Sequence, residues 1–329
     1  MQLSIVIPVK NDQQGLERCL RSISSASSPP PYEVIVVDNG STDNSVAVAE
    51  SFGARVLEAP EGSVSALRNL GAAEAAGRYL AFLDADCSVS TEWFESIADY
   101  LSEGDVICFG SPPVVPDRST WVQRCWYQIR RRRLYARKVF EVEWLESMNL
   151  FVRREDFLKL AGFDEEMITC EDVDLCKRLS ALAPVICDNR VVATHHGEAR
   201  TVRHFYLKER WRGTSNWQSL RKHGFDKAEL PSVVFPIAHL ALLLLTAIAG
   251  VLTLYNVIPL MAVGVLLLLW QVPLLLLSLS KNEAPVRAGV VIGLWALLNL
   301  YFFARAVSLF SHAPWVDPQK NQLGSEATL

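Results

Sequence analysis

None of the seven cysteines forms a C-x-x-C pair; they stand scattered at 19, 87, 108, 125, 170, 176 and 187. Their odd number and scatter exclude a fully paired disulfide frame and a cysteine zinc site, and suit free thiols in a reducing cytosol. The start of the chain offers no signal peptide. Ser4-Ile-Val-Ile-Pro8 is too short for an apolar signal core, and no cationic stretch precedes it. Acidic residues are missing from Arg118 to Lys138, and charge of either sign nearly vanishes from about Pro231 onward. The 329 residues are half hydrophobic with net charge −4, but both figures average two unlike parts. The first two thirds reads as an α/β domain and the last third as apolar helices. The length suits one large domain with additions, or two domains.

The α/β reading follows from the order of apolar runs. Leu3 to Pro8 is a continuous run closed by proline, as in a strand buried on both faces. Asn11 to Ser25 has helical spacing through Leu16, Leu20 and Ile23, and Ser27-Ser-Pro-Pro-Pro31 breaks it. Glu33-Val-Ile-Val-Val-Asp38 is a second buried strand, followed by the turn and capping residues Asn39-Gly-Ser-Thr-Asp43. Strand, helix, strand in this span is a βαβ unit, so the two strands should be parallel. Ala54 to Leu57 suggests a third strand, Val64 to Ala76 a helix ended by Gly77, and Asp105 to Phe109 a further short run. Between them lies Arg78-Tyr-Leu-Ala-Phe-Leu-Asp-Ala-Asp86, a strand that delivers Asp84 and Asp86 together, because residues i and i+2 of a continued strand point the same way. Such a pair calls for a neutralising cation. Mg²⁺ or Mn²⁺ bridging to a substrate phosphate meets that need, and solvated turn aspartates are the plainer alternative. Asp38, Asp84, Asp86 and Val9-Lys-Asn11 all fall at strand carboxyl ends, where open α/β sheets bind ligands.

Ser4-Ile-Val-Ile-Pro-Val-Lys-Asn-Asp12, Val34-Ile-Val-Val-Asp-Asn-Gly-Ser-Thr-Asp43, Arg68-Asn-Leu-Gly71 and Phe82-Leu-Asp-Ala-Asp86 resemble successive blocks of the family 2 glycosyltransferases. Met148-Asn-Leu-Phe-Val-Arg-Arg154, Ala161-Gly-Phe-Asp-Glu165 and Glu171-Asp-Val-Asp-Leu175 continue the series in the family's order, to about residue 215. The resemblance implies a GT-A fold with a Rossmann-like, mostly parallel sheet, a nucleotide-diphospho-sugar donor, and inverting transfer assisted by Mn²⁺ or Mg²⁺. On that resemblance Pro8, Val9, Asp38, Arg68 and Asp84 line the donor site, Asp86 ligates the metal, and His196 is a second candidate ligand. A solvated Arg68, a turn-capping Asp38 and a plain loop histidine are the milder alternatives. The resemblance makes Asp172 the general base. Locally, Thr169-Cys-Glu-Asp172 also fits a capping box with Thr169 as N-cap. Glu171 and Asp174 should raise the Asp172 pKa and the helix N-terminus should lower it, with no winner legible from sequence.

Trp121-Val-Gln-Arg-Cys-Trp-Tyr-Gln-Ile-Arg130, extended by Arg131, Arg132 and Arg133, interleaves basic and aromatic residues. With a negative net charge and no nucleic-acid module, nucleic acid is not the expected partner. Anionic membrane lipid, or the phosphate of a lipid-linked or envelope glycan acceptor, fits better; a solvated helix face is the alternative. Arg210-Trp211 resembles the end of the Q-x-x-R-W motif of processive synthases, but Leu207 stands where Gln would be.

Ser232 to Leu254, Val257 to Leu279 and Val286 to Phe310 are each long enough to span a bilayer, which takes about 20 apolar residues. Arg305 inside the third should snorkel or pair within the bundle. Basic residues before the first span, and Lys281 and Arg287 beside the second loop, place the catalytic domain in the cytosol and the tail outside. The expected organisation is a catalytic domain at 1–215, a linker at 216–231, about three transmembrane helices at 232–310 and a tail at 311–329. The expected protein is a multi-pass enzyme of the cytoplasmic (inner) membrane; a processive polysaccharide synthase or a non-catalytic nucleotide-binding membrane partner are the rival readings.

Overall fold

The computed structural model describes residues 1–130, 138–214, 230–281 and 287–310. The chain divides into two compact units: Met1–Asp117 with Arg133–Glu198, and Arg118–Arg132 with Ala199–Leu329. It begins with β1 (Leu3–Val9), α1 (Gln13–Ser24), β2 (Tyr32–Asp38), α2 (Ser45–Ser51), β3 (Arg55–Glu58) and α3 (Val64–Ala73). It continues with β4 (Tyr79–Leu83), β5 (Cys87–Val89), α4 (Trp93–Glu103) and β6 (Cys108–Gly110). After α5 (Trp121–Arg130), which belongs to the second unit, come β7 (Val139–Val142), β8 (Asn149–Arg153), α6 (Arg154–Lys159), α7 (Glu171–Ser180), β9 (Val185–Asp188) and β10 (Ala193–His195).

Eight strands form one sheet in the order β3-β2-β1-β4-β8-β6-β9-β7. The strand β1 runs parallel to β2 from Leu3 opposite Tyr32 to Val9 opposite Asp38, and parallel to β4 on its other side. The expected βαβ start is therefore present, and Val9, Asp38 and the residues after Leu83 leave the sheet at one edge. The strand β8 enters antiparallel to β4 with Asn149 opposite Leu83, so its first residue starts at that same edge. A separate antiparallel pair joins β5 to β10, with Cys87 opposite His195.

Alternation along β1 builds both cores. Leu3, Ile5 and Ile7 pack with Leu16, Leu20 and Ile23 of α1 and Trp93, Phe94 and Ile97 of α4. Val6 joins the other core with Leu67 of α3, Phe157 of α6 and Leu175 and Leu179 of α7. The helix α3 stops at Ala73, three residues short of the expected Ala76. The Ala76 N–H donates instead to Glu33 Oε1 at 2.8 Å, which draws the chain into β4.

The second unit holds α5, α8 (Val202–Arg212), α9 (Phe235–Leu254), α10 (Leu260–Lys281) and α11 (Ala288–Ser308). Three segments, Ser232–Leu254, Leu260–Lys281 and Ala288–Ser308, are long and apolar enough to cross a membrane. Arg305 pairs rather than snorkels: Nη2 donates to Glu209 Oε2 at 3.0 Å and Nη1 to the Arg212 carbonyl at 3.0 Å. Removing one partner would strand the other charge in a buried setting at about 3–5 kcal/mol, so Arg305 and Glu209 depend on each other. The linker, the second loop, the tail and Arg131 to Arg133 lie outside the described residues.

Asn149 fixes the start of β8. Its Oδ1 accepts from Trp93 Nε1 at 3.1 Å, and its Nδ2 donates to the Val191 carbonyl at 2.7 Å and to Ser111 Oγ at 3.0 Å. Asn149→Leu leaves buried polar groups unpaired at about 1–3 kcal/mol each. A chemical or thermal melt should therefore show at least about 2 kcal/mol lost; a loss near zero would mean those groups find other partners.

Candidate active site

Three strand ends and one helix start make the site. Asp38, at the last position of β2, is 3% exposed. Its Oδ2 accepts from the Ser41 N–H at 2.9 Å, while its Oδ1 is buried with no partner. Around it the loops after β1 and β2 are stitched together. Asn11, at φ 53°, accepts from the Thr42 N–H at 2.7 Å, and Lys10 Nζ donates to Asn39 Oδ1 at 2.9 Å. Pro8 and Val9 close β1 beside Val37 and Asp38.

The acid pair is neutralised from within the chain. Arg68, 3% exposed on α3, donates from Nη2 to Asp84 Oδ1 at 2.7 Å and from Nη1 to Glu171 Oε1 at 2.8 Å. Arg68 therefore bridges a strand end to the start of α7, and its guanidinium carbon lies 5.5 Å from the Phe163 ring centre. Asp86 Oδ2 lies 3.2 Å from His195 Nε2, and His195 Nδ1 lies 3.3 Å from Glu198 Oε1. Burial alone would lower the His195 pKa, but Asp86 and then Glu198 outweigh it and raise it to about 9. His196 contributes a backbone N–H to the Asp86 carbonyl at 2.9 Å, and its ring Nε2 lies 2.8 Å from Ser88 Oγ. The imidazole against Asp86 is thus that of His195. Gly197 lets the backbone approach the Asp86 carboxylate closely; a Cβ at 197 would force that side chain to move.

The helix α7 begins one residue later than a Thr169 cap would have it. Cys170 is the residue before the helix, held at φ 65° in the left-handed region with no side-chain cap. Asp172 is the second helical residue, its Oδ1 accepting from the Val173 N–H at 2.8 Å. Burial, then Glu171 and Glu146, push the Asp172 pKa up to about 8; the Val173 N–H and Arg68 oppose this and lose. Asp174 is occupied elsewhere, 2.6 Å from Arg178 Nη2.

A divalent cation fits the donor chemistry at Asp86, a hard carboxylate about a third exposed. Among the described residues no group of three or more His, Cys, Asp or Glu side chains is gathered to hold an ion. Arg130 lies in the second unit, its guanidinium carbon 5.8 Å from the Trp126 ring centre.

Glu146 and Glu198 were not singled out from the sequence, His195 was passed over for its neighbour His196, and Glu171 was noted only as a charge beside Asp172. His195-His-Gly-Glu198 carried a local signal in its glycine beside paired histidines. The pairing of Glu171 with Arg68 carried none, since the two lie 103 residues apart.

Residues 4–160 match the family described as Glycosyl transferase family 2. Glycosyltransferase AglE of Haloferax volcanii is 30% identical over 185 residues, which are 54% of this chain and 60% of that protein. The chain spans less than two thirds of the length of the curated relatives it matches first. Among solved structures, the mannosyltransferase PcManGT from Pyrobaculum calidifontis, in complex with GDP-Man and Mn²⁺, aligns with TM-score 0.62 at 16% identity, covering 94% of this chain and 87% of that one. S. aureus TarS 1-349 in complex with UDP-GlcNAc aligns with TM-score 0.51 at 15% identity, covering 98% and 92%. At such identities these two likenesses show the fold.

Linkage gives the site a test that needs no substrate. An unfolded Asp titrates near ~3.9, whereas folded Asp172 titrates at about 8. The folded state thus holds a proton that the unfolded state has lost. Stability from Asp172 is full below ~3.9 and falls as pH rises toward about 8. Melts of the full chain between pH 5 and 8 should show that fall, and Asp172→Asn should flatten it. An unchanged slope in the variant would mean Asp172 is ionised throughout.

Proposed function

We propose, from a chain whose residues 4–160 form a family 2 glycosyltransferase domain of the GT-A fold, an inverting, metal-dependent enzyme. It moves a sugar from a nucleotide-diphospho-sugar to a hydroxyl or phosphate of a lipid-linked acceptor at the membrane. The observation that carries this reading is Asp38 Oδ1, a buried acceptor atom without a partner at the end of β2. An orphaned buried oxygen is unfavourable unless a ligand N–H or O–H completes it, and a nucleoside's base or ribose supplies such a donor. Pro8 and Val9 form the adjacent wall. The occurrence of GDP-Man with Mn²⁺ in one structural neighbour and UDP-GlcNAc in another supports a nucleotide-sugar donor and leaves its base and sugar open.

Asp172 is the general base. Its Oδ1 is held by the Val173 N–H, so Oδ2 takes the acceptor proton. A carboxylate whose pKa is raised toward working pH is a better proton acceptor than an exposed one. Glu171, fixed by Arg68, holds the start of α7 and the field around Asp172. Asp86 is the residue that would hold Mn²⁺ or Mg²⁺; of the two histidines, His195 reaches it by its ring and His196 through its backbone. When bound there, the cation neutralises charge on the departing diphosphate. Arg130, with Arg131 to Arg133, is assigned to the acceptor or to anionic lipid. In this reading the enzyme sits in the cytoplasmic membrane and draws its donor from the cytosol, and the three long apolar helices support the membrane part of it.

Thermal stabilisation of the purified full chain by a panel of nucleotide sugars, with and without Mn²⁺, tests donor and metal together. At least one nucleotide-sugar should raise the melting temperature, more with Mn²⁺, and Asp86→Asn should abolish the Mn²⁺ increment. An Asp86→Asn chain that keeps the full increment would remove Asp86 as the metal ligand.

A further inference from the structure

Of the three apolar helices, α11 has neighbours that a membrane span could not have. Gly293 lies against Cys125 and Trp121 of α5, where an added Cβ would stand 3.1 Å from the Cys125 sulfur. Leu294 and Leu297 share a core with Val122, Cys125, Trp126 and Phe205. Tyr301 meets Trp126 at 5.6 Å between ring centres, Arg305 binds Glu209, and a Cβ on Gly213 would collide with Ser308. At 1.5 Å rise per residue, Gly293 to Ser308 is about 22 Å of axis, most of the ~30 Å hydrocarbon thickness. Along all of it α11 is flanked by α5 or α8. Those two helices carry Gln123, Arg124, Gln128 and Arg130, and Arg203, Lys208, Arg210 and Arg212. If α11 stood across the bilayer, these side chains would be carried into hydrocarbon, at several kcal/mol for each charge.

The other face of α11 agrees. Phe302 meets Phe235 and His239 in the first turns of α9. Trp295 donates to Gln271 Oε1 at 2.7 Å, and Leu298 and Phe302 pack with Leu274 in the second half of α10. These contacts run from the middle of α10 to the end of the α9–α10 hairpin away from its turn. At the turn end Leu254, Val257, Leu260 and Met261 are broadly exposed. A third span would run alongside the hairpin for its whole length, whereas these contacts are confined to the half away from its turn. Charge points the same way. Among the described residues of this unit Glu209 is the only acid, and Arg305 and Arg212 both engage it. The basic residues of α5 and α8 therefore outnumber it and suit an anionic headgroup layer.

We propose that α11 lies in the plane of the membrane surface, bedded on α5 and α8 against anionic lipid headgroups, and that only α9 and α10 cross. The chain after Phe310 then emerges on the side of α8, opposite to the side expected from three spans. Ile292, 61% exposed, and Phe310, 79% exposed, are apolar groups available to the acyl boundary. The inference rests on the membrane placement proposed above and not on the transfer chemistry.

The test uses the full-length chain in a bacterial inner membrane, with green fluorescent protein or alkaline phosphatase fused after Leu329. In parallel, Asn256→Cys is treated with a membrane-impermeant maleimide on intact spheroplasts. Expected are a fluorescent fusion, an inactive phosphatase, and labelling at residue 256 from outside. An active phosphatase with labelled 256 would show that α11 crosses and would overturn the proposal while leaving the anchor in place. An unlabelled 256 would overturn the two crossings and the membrane placement beneath them. Neither outcome touches donor binding by the soluble-type domain, which the nucleotide-sugar panel reads separately.

Discussion

The guanidinium of Arg68 sits between two carboxylates that sequence places far apart, Asp84 at the end of β4 and Glu171 at the start of α7. It is buried, as is most of Glu171, so the contact cannot be exchanged for water without loss. Removing one partner from a buried pair typically costs about 3–5 kcal/mol, because a charge is left stranded. Most of the site depends on this contact. Asp84 is held neutralised beside Asp86. The start of α7 is drawn to the sheet edge, with Cys170 forced into a left-handed backbone conformation just before it. Asp172 is half-buried next to Glu171, and desolvation, then Glu171 and Glu146, raise its pKa to about 8.

The acid pair at 84 and 86 shows what a local pattern can and cannot say. Its like charges demand a cation, and in this fold Arg68 and His195 supply two of them before any metal is considered. The same fact leaves Asp86, rather than the pair, as the natural place for a divalent ion, with substrate phosphate completing the shell.

The sheet was largely legible because continuous apolar runs and turn residues are local signals. The runs at Leu3, Glu33 and Arg78 all became strands that open on one edge. What sequence reading missed was set by contacts distant in sequence. The helix α7 starts at Glu171, one residue later than the Thr169 pattern suggested, and Glu171 is bound by Arg68 from 103 residues away. The choice of His195 over His196 depends on strand pairing of β10 with β5, which sends one ring to Asp86 and the next to Ser88. In the second unit, apolar length alone cannot separate a helix that crosses a bilayer from one that rests against polar helices. Arg305 inside the third apolar run was the one local hint, and its partner Glu209 lies 96 residues away.

The central claim is that Asp172 takes the acceptor proton, and single-turnover transfer by Asp172→Asn, with a donor identified from the nucleotide-sugar panel, tests it most directly. The variant keeps the shape of the side chain and removes its basic oxygen. The account predicts transfer slowed by ~10²-fold or more, the usual size of a general-base contribution, with donor affinity in the presence of Mn²⁺ nearly unchanged. Transfer at close to the parental rate would contradict it and take Asp172 out of the chemistry.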